Sequence, residues 1–305
     1  MIEYDVAIVG GGPAGRLAAE TLIEAGANTA LIDENEIDPS LLPQSSELTR
    51  LEKSTVWGLY PGFQIGLTAS SGESLIAAKR VILATGSTEK VLSFPGSDLP
   101  GVMTGRGLTR LLNEYGVWPG GRRVAILGRS MEADRLAKAI SWADGDLVYW
   151  PNELGVEHEA IAHDGVVSEL RVDGESYAVD VIAISYEEQP DVSLAAMIEC
   201  GIGYSSELGG FTPRRSDRME TSIPGLYVCG SAAGTGFSDE VVYDALIAGL
   251  AAAHSLGLVS EEELDGQNAE YQKAFPDRVR AAKTISMSWV QHDVSRSVAT
   301  PVGEF

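Results

Sequence analysis

Six residues near the start of the chain have the types and spacing to cradle a pyrophosphate: Gly10-Gly11-Gly12-Pro13-Ala14-Gly15. In a G-x-G-x-x-G turn the first glycine permits the tight bend. The second lets the backbone approach the phosphates, and the third lets the following helix pack close to the sheet. Pro13 and Ala14 fall at the start of that helix, where free N–H groups and the positive end of the dipole face an anion. A carboxylate follows 18 positions after Gly15, at Asp33. Asp33 or its neighbour Glu34 would accept hydrogen bonds from the ribose hydroxyls of an adenine dinucleotide, and a negative charge there disfavours a 2′-phosphate.

A second turn of related form occurs at Gly128-Arg129-Ser130-Met131-Glu132-Ala133. Its middle glycine is replaced by Ser130, so a side chain stands where backbone should meet phosphate. Glu132 suits the helix dipole but repels phosphate. No basic cluster follows Trp150 to meet a 2′-phosphate. The expectation is a retained domain with a decayed site, not one that binds NAD(P).

The elements needed to position both turns are legible. Tyr4–Val9 is a short apolar strand, Ala14–Ala25 has helical spacing closed by Gly26, and Thr29–Ile32 is a second strand ending at Asp33. Residues 35–53 read as loop or short helix. Thr55–Thr68 and Ser74–Leu83 read as short strands broken by Gly and Ser. A second strand–helix–strand unit runs through Arg123–Leu127, Met131–Trp142 and Leu147–Trp150. Gly165–Tyr186 reads as hairpins turning at Asp164-Gly165 and Asp173-Gly174. Leu226–Cys229 is a strand leading to a helix from about Glu240 to Ala253. Glu261–Ala282 reads as a charged helical tail, and the last twenty residues as irregular. Two such units in one chain predict an α/β fold of two Rossmann-like dinucleotide-binding domains, the second inserted in the first. The expected division is 1–105 plus 215–305 for the first domain and 106–214 for the insert.

Composition narrows the function classes. Acidic residues outnumber basic ones 44 to 22, a net charge of −22. Such a field repels polyanions, so nucleic acid is not an expected partner. No apolar run is long enough to span a bilayer, and the N-terminus enters a strand without a basic leader. The expected location is cytoplasmic. The two cysteines, Cys200 and Cys229, form no C-x-x-C and read as small core residues. Four scattered histidines offer no metal-ligand spacing, so no metal site is expected.

No nucleophile–base pair stands out, and no catalytic residue is assigned. Asp239-Glu240 reads as dipole-complementing charge at a helix start. Arg214 and Arg215 could bind an anion or pair with the acidic surface. Trp57, Tyr60 and Trp118 read as core, and Tyr243 as packing.

Two further motifs carry a resemblance. Val81-Ile82-Leu83-Ala84-Thr85-Gly86 resembles the strand-turn of two-dinucleotide-domain, glutathione-reductase-like flavoproteins, with Ala84, Thr85 and Gly86 at the turn. Gly225-Leu226-Tyr227-Val228-Cys229-Gly230 resembles their second FAD motif. The stretches Phe94–Thr104 and Tyr115–Gly120 are similar to the FAD-binding alpha-type subunits of hydrogen cyanide synthase, opine oxidase, heterotetrameric sarcosine oxidase and dye-linked proline dehydrogenase. The resemblance covers roughly residues 1 to 255. It implies FAD as cofactor, Val56 passing the adenine, and Gly230 and Ser231 near the ribityl or pyrophosphate region. It also implies that the partner is a second flavoprotein subunit, oxidase-like in kind, and so an FAD-dependent oxidoreductase acting on amines or amino acids. The sequence departs from the family at Ser231, where an Asp is usual, in its shortened 35–53 region, and in lacking a cysteine-rich iron–sulfur region. Two other readings stay open: a stand-alone NAD(P)H-dependent flavin oxidoreductase, against which Ser130 speaks, and a non-catalytic nucleotide-binding scaffold.

Overall fold

In the computed structural model, which describes residues 2–149, 157–235 and 243–287, the first strand β1 (Ile2–Val9) is buried from Val6 onward. It runs into helix α1 (Pro13–Glu24) through the glycine turn. Pro13 occupies the first helical turn, where its missing N–H costs nothing. Gly26, at φ +82°, ends the helix as expected, with Gly26 N–H bonding Ile23 O and Ala27 N–H bonding Leu22 O, each 2.9 Å. Strands β2 (Thr29–Ile32) and β3 (Leu48–Leu51) follow, then the meander β4 (Thr55–Tyr60), β5 (Gln64–Ala69) and β6 (Gly72–Leu83). Strand β3 lies in the stretch expected to be loop. Its sequence, Leu-Thr-Arg-Leu, is a short, half-exposed edge beside β2, too brief to show a period.

The chain then leaves this sheet by β7 (Ser87–Glu89). It builds β8 (Val102–Thr104), α2 (Gly105–Tyr115), β9 (Arg123–Leu127), α3 (Met131–Trp142) and β10 (Asp146–Tyr149). The strands β11 (His158–His163), β12 (Val166–Val172), β13 (Glu175–Ala178) and β14 (Val181–Ile184) come next. It returns by β15 (Glu188–Pro190), followed by α4 (Ser193–Met197), β16 (Ile202–Ser205), β17 (Gly210–Pro213), β18 (Leu226–Val228), α5 (Tyr243–Ser255), α6 (Glu261–Ala274) and α7 (Pro276–Met287). Pro276 divides the expected tail helix in two, because it cannot donate within a helix and restricts Phe275 before it.

The first sheet has the order β3-β2-β1-β6-β5-β4, with β18 on β6. The early part of β6 pairs with β5, and its last residues, Val81–Leu83, pair with β18. On one face α1 and α5 pack through Ala18, Ala19, Leu22, Ala245, Ala248 and Ala252. Gly249 lets them meet closely, since a Cβ there would lie 3.0 Å from the Thr21 side chain. On the other face lie Leu59, Ile65, Val81, Leu194 and Ile198.

The second sheet, β10-β9-β14-β8, is parallel throughout and has a core on each face. Of the stretch expected to be hairpins, β12 and β13 are, but β14 is a central strand of this sheet, and β11 begins before it. Both turns have the expected geometry. Asp164 and Gly165, and Asp173 and Gly174, all take positive φ.

Strand β8 already belongs to the second sheet, while α4 contributes Leu194, Ala195 and Ile198 to the first core. The two crossings meet where β7 pairs antiparallel with β15, Ser87 opposite Pro190. Arg106 bolts this junction, its guanidinium donating to Glu188 at 2.8 Å and to Ser87 O at 2.5 Å.

Candidate functional site

The glycine turn sits where β1 ends beside β6. Gly10 takes φ +112°, and a Cβ there would lie 2.1 Å from Ala84 O. A Cβ at Gly15 would lie 1.8 Å from Gly10 O. Both positions are closed by backbone. Gly12 is different: a Cβ there meets nothing within 4 Å, and its φ of −66° is open to any residue. Space above Gly12 is what a pyrophosphate needs.

Gly12 is also the N-cap of α1, and no side chain caps it. No acidic residue occupies the first turn. The N–H groups of that turn therefore keep their capacity for an anion, with the dipole behind them.

Asp33 lies at the end of β2, against this turn. One of its oxygens accepts from Gly11 N–H at 2.5 Å and the other from Asn35 N–H at 2.8 Å. A carboxylate has about four acceptor sites, so two remain for hydroxyls. Ser54 N–H bonds Asp33 O at 2.9 Å, which starts β4, and with it Val56, at the same edge of the site. Glu34 is exposed beside them.

Ala84, Thr85 and Gly86 close the other side. Ala84 N–H bonds Val9 O at 2.8 Å. Thr85 Oγ1 donates to Asp191 O at 3.2 Å, and Asp191 N–H bonds Gly86 O at 3.1 Å, so this turn holds the returning crossing. Gly230, at φ +70°, and Ser231 begin a short 3-10 turn after β18, and Cys229 N–H bonds Leu83 O at 3.0 Å. The residues singled out in the sequence therefore gather at the ends of β1, β2, β6 and β18, the carboxyl ends of parallel strands, where ligands bind in such sheets.

The second turn presents a different face. Ser130 caps α3 with its own hydroxyl, Oγ accepting from Ala133 N–H at 3.1 Å and lying 2.9 Å from Ser185 Oγ. Glu132 and Asp134 occupy the first turn, and Glu132 is buried. A phosphate arriving there would meet a taken donor and two carboxylates.

Beneath the Gly230 turn lies a buried charge cluster. Arg278 of α7 and Asp244 of α5 form an ion pair, both fully buried. Arg278 also donates to Gly234 O at 3.2 Å and Gly230 O at 3.3 Å, and Tyr271 donates to Asp244. The sequence shows no cue for this cluster, since Asp244 opens an apolar run and Arg278 sits in a charged tail. Burial and the Asp244 charge drive the Tyr271 phenol far above its usual range.

Two of the aromatic expectations meet a different outcome. Trp57 and Tyr60 are not core: each is 43% exposed on β4, packed edge to face over Gly66 and Gly58. Tyr243 is 51% exposed and rests on Phe275. Arg215 is buried, not paired with the acidic surface. Trp118 packs partly buried against the second core. Cys200 and Cys229 are buried and free, and burial pushes the Cys229 thiol far up. Among the described residues there is no group of three potential metal ligands, and no helix is long and apolar enough to cross a membrane. Trp150 and the Asp239-Glu240 pair lie outside the described residues.

A family model described as an FAD binding domain matches residues 3–48, the stretch holding the glycine turn and Asp33. One of the subunits of opine oxidase from Rhizobium meliloti (strain 1021) is 24% identical over 338 residues, covering 87% of this chain and 74% of the relative. The alpha subunit of sarcosine oxidase from Corynebacterium sp. (strain P-1) is 27% identical over 263 residues, 73% of this chain and 26% of the relative. The chain is similar to both of these subunits. Its cofactor is FAD, and it stands among the FAD-dependent oxidoreductase chains. The structure of L-proline dehydrogenase from P. horikoshii superposes with a TM-score of 0.75 at 21% identity, over 90% of this chain and 59% of the other. Thioredoxin reductase of T. acidophilum gives 0.58 at 18% identity, over 84% and 98%. The fold is therefore that of two-domain Rossmann-type flavoproteins. The chain spans about three quarters of the opine oxidase relative but about a quarter of the sarcosine oxidase one.

Proposed function

We propose that this chain is the FAD-binding subunit of a hetero-oligomeric, flavin-dependent amine or amino-acid dehydrogenase or oxidase. The observation that carries the reading is the contrast between its two glycine turns. One has an uncapped helix start under open space, and the other is filled by Ser130 and flanked by Glu132. That contrast favours one dinucleotide at the first site and speaks against a stand-alone NAD(P)H-dependent reductase.

Bound FAD would supply hydride or electron acceptance. This chain's part is to hold it. Gly12, Ala14 and Gly15 offer backbone to the pyrophosphate, with Gly10 and Pro13 fixing the turn. Asp33, with Glu34 beside it, accepts from the ribose hydroxyls. The Val56 backbone flanks the adenine. Ala84, Thr85, Gly86, Gly230 and Ser231 border the far side of the pyrophosphate and the ribityl chain. A hydroxyl at Ser231 can give and accept hydrogen bonds but adds no charge.

The partner we propose is a second, oxidase-like flavoprotein subunit that carries the substrate contacts, and the assembly we place in the cytoplasm. The relatives are named as subunits, and no nucleophile–base pair stands out in the sequence. Denaturing the purified chain should release FAD. The chain alone should reduce no dye with an amino acid present, and co-expression with an adjacent-gene oxidase-like subunit should give an active complex. Turnover by the chain alone, or release of a different nucleotide, would overturn the assignment.

A further inference from the structure

Arg215 has no place in the flavin site, yet it is one of the most unusual residues in the molecule. It lies between β17 and β18, 7% exposed, and is joined to Thr221 by a single β-bridge. Its Nε, Nη1 and Nη2 are all buried and find no hydrogen-bond partner among the described residues. A guanidinium does not lose its proton in a protein. A buried positive charge with three unanswered nitrogens costs several kcal/mol unless an anion meets it.

The neighbouring carboxylate does not meet that need. Asp244 is engaged by Arg278 through Nε at 3.1 Å to both oxygens and through Nη2, and by Tyr271. It attracts Arg215 only at longer range, and Arg278 repels it. Among the described residues, the Arg215 and Arg278 guanidinium groups face one carboxylate, Asp244.

Arg215 also lines a cavity of about 390 Å³, formed with Met219 and with Tyr271, Val279, Ala282 and Lys283 of α6 and α7. Small-molecule sites span roughly 300–1,000 Å³, so this space holds more than a bare ion. Met219 and Val279 give apolar wall, and Lys283 adds a second basic residue. Ser216 and Asp217 complete the lining, and Asp217 accepts from Gln272 at 3.4 Å.

We propose that this cavity binds a small organic oxyanion, a carboxylate or phosphate monoester, whose charged end takes the Arg215 fork and whose body lies against Met219 and Val279. An arginine fork matches both head groups through paired N–H···O bonds. The site uses the β17–β18 segment, α6 and α7. The glycine turn and Asp33 belong to other elements, so the inference stands apart from the proposed function.

The test is a thermal-shift and calorimetric titration of the purified full-length chain. The probes are inorganic phosphate, phenyl phosphate, acetate and benzoate, each against sodium chloride of equal ionic strength. Saturable binding and a raised Tm are expected with phenyl phosphate or benzoate, and which one binds more tightly tells phosphate from carboxylate. Arg215→Gln should weaken that binding at least tenfold. Ala282→Phe, which fills the cavity and leaves Arg215, Asp244 and Arg278 themselves unchanged, should abolish it and covers the case in which Arg215→Gln fails to fold. Flavin absorbance is read in the same samples, so loss of anion binding with flavin retained bears on this site alone. A wild-type chain indifferent to all four probes, or an Ala282→Phe chain that binds like wild type, would overturn the proposal.

Discussion

Arg278 and Asp244 form a fully buried ion pair that joins α7 to α5, and the same guanidinium holds the carbonyls of Gly230 and Gly234. The pair therefore ties the C-terminal helices to the second of the two flavin motifs. Breaking a buried ion pair by removing one partner costs about 3–5 kcal/mol. Arg278→Met is expected to lower urea stability by that order and to loosen flavin retention. The double change Arg278→Met with Asp244→Leu should cost clearly less than the two single changes together. Additive losses in a double-mutant cycle would show that the two residues act separately.

The glycines of the first turn should separate folding from binding. Gly15→Ala forces a Cβ onto Gly10 O, so about 1–3 kcal/mol of stability should be lost, by the cost of overpacking. Gly12→Val has free space and an ordinary φ. It should fold with a penalty of about 1 kcal/mol, as at an N-cap, yet lose FAD. Flavin absorbance beside a denaturation curve reads both quantities. A Gly12→Val protein with its full flavin content would remove Gly12 from the site.

Ser130 should be a structural cap. Ser130→Ala is expected to cost about 1 kcal/mol through the lost bond to Ala133 N–H. Titration of the wild-type chain with NADH or NADPH should reveal no site of micromolar affinity. A strong isotherm for either would revive the reductase reading.

Acid should weaken the second domain through Asp180. The Arg123 guanidinium, hydrogen-bonded to it at 2.6 Å, holds its carboxyl below the usual 3.8. A depressed carboxyl contributes stability that is complete above the unfolded value and fades as pH falls through the lower, folded one. Asp180→Asn should therefore flatten the acid limb of the stability–pH curve below pH 3.8 and barely change its slope above about pH 5. An unchanged acid limb would place the acid sensitivity elsewhere.

The first unit was legible because its signals are local. A β-branched strand, three glycines, Pro13, Gly26 and a carboxylate at position 33 fix strand, turn, helix and strand within one stretch. The Asp-Gly turns were legible for the same reason. Long-range features were not. Strand β3 exists because β2 offers it an edge, and β14 joins a parallel sheet whose neighbours lie far off in the chain. Arg278, Asp244 and Arg215 become a cluster only when three separate elements fold together, so no spacing announces them. Trp57 and Tyr60 misled for a physical reason: their rings cover Gly66 and Gly58 on the outside of a sheet, and aromatic type alone does not say which face is buried.

The antiparallel ribbon of β7 and β15 makes the second unit a cassette. The chain departs and re-enters at one point, where Lys90 N–H already reaches Glu187 O at 2.8 Å. Between those two residues the described chain adds no strand to the seven-stranded sheet, so changes of length there need not shift that sheet's register, while Arg106 keeps the junction closed. A lineage that no longer needs a second nucleotide is thus free to let that module drift, or to give it new work, while the flavin-bearing half stays intact.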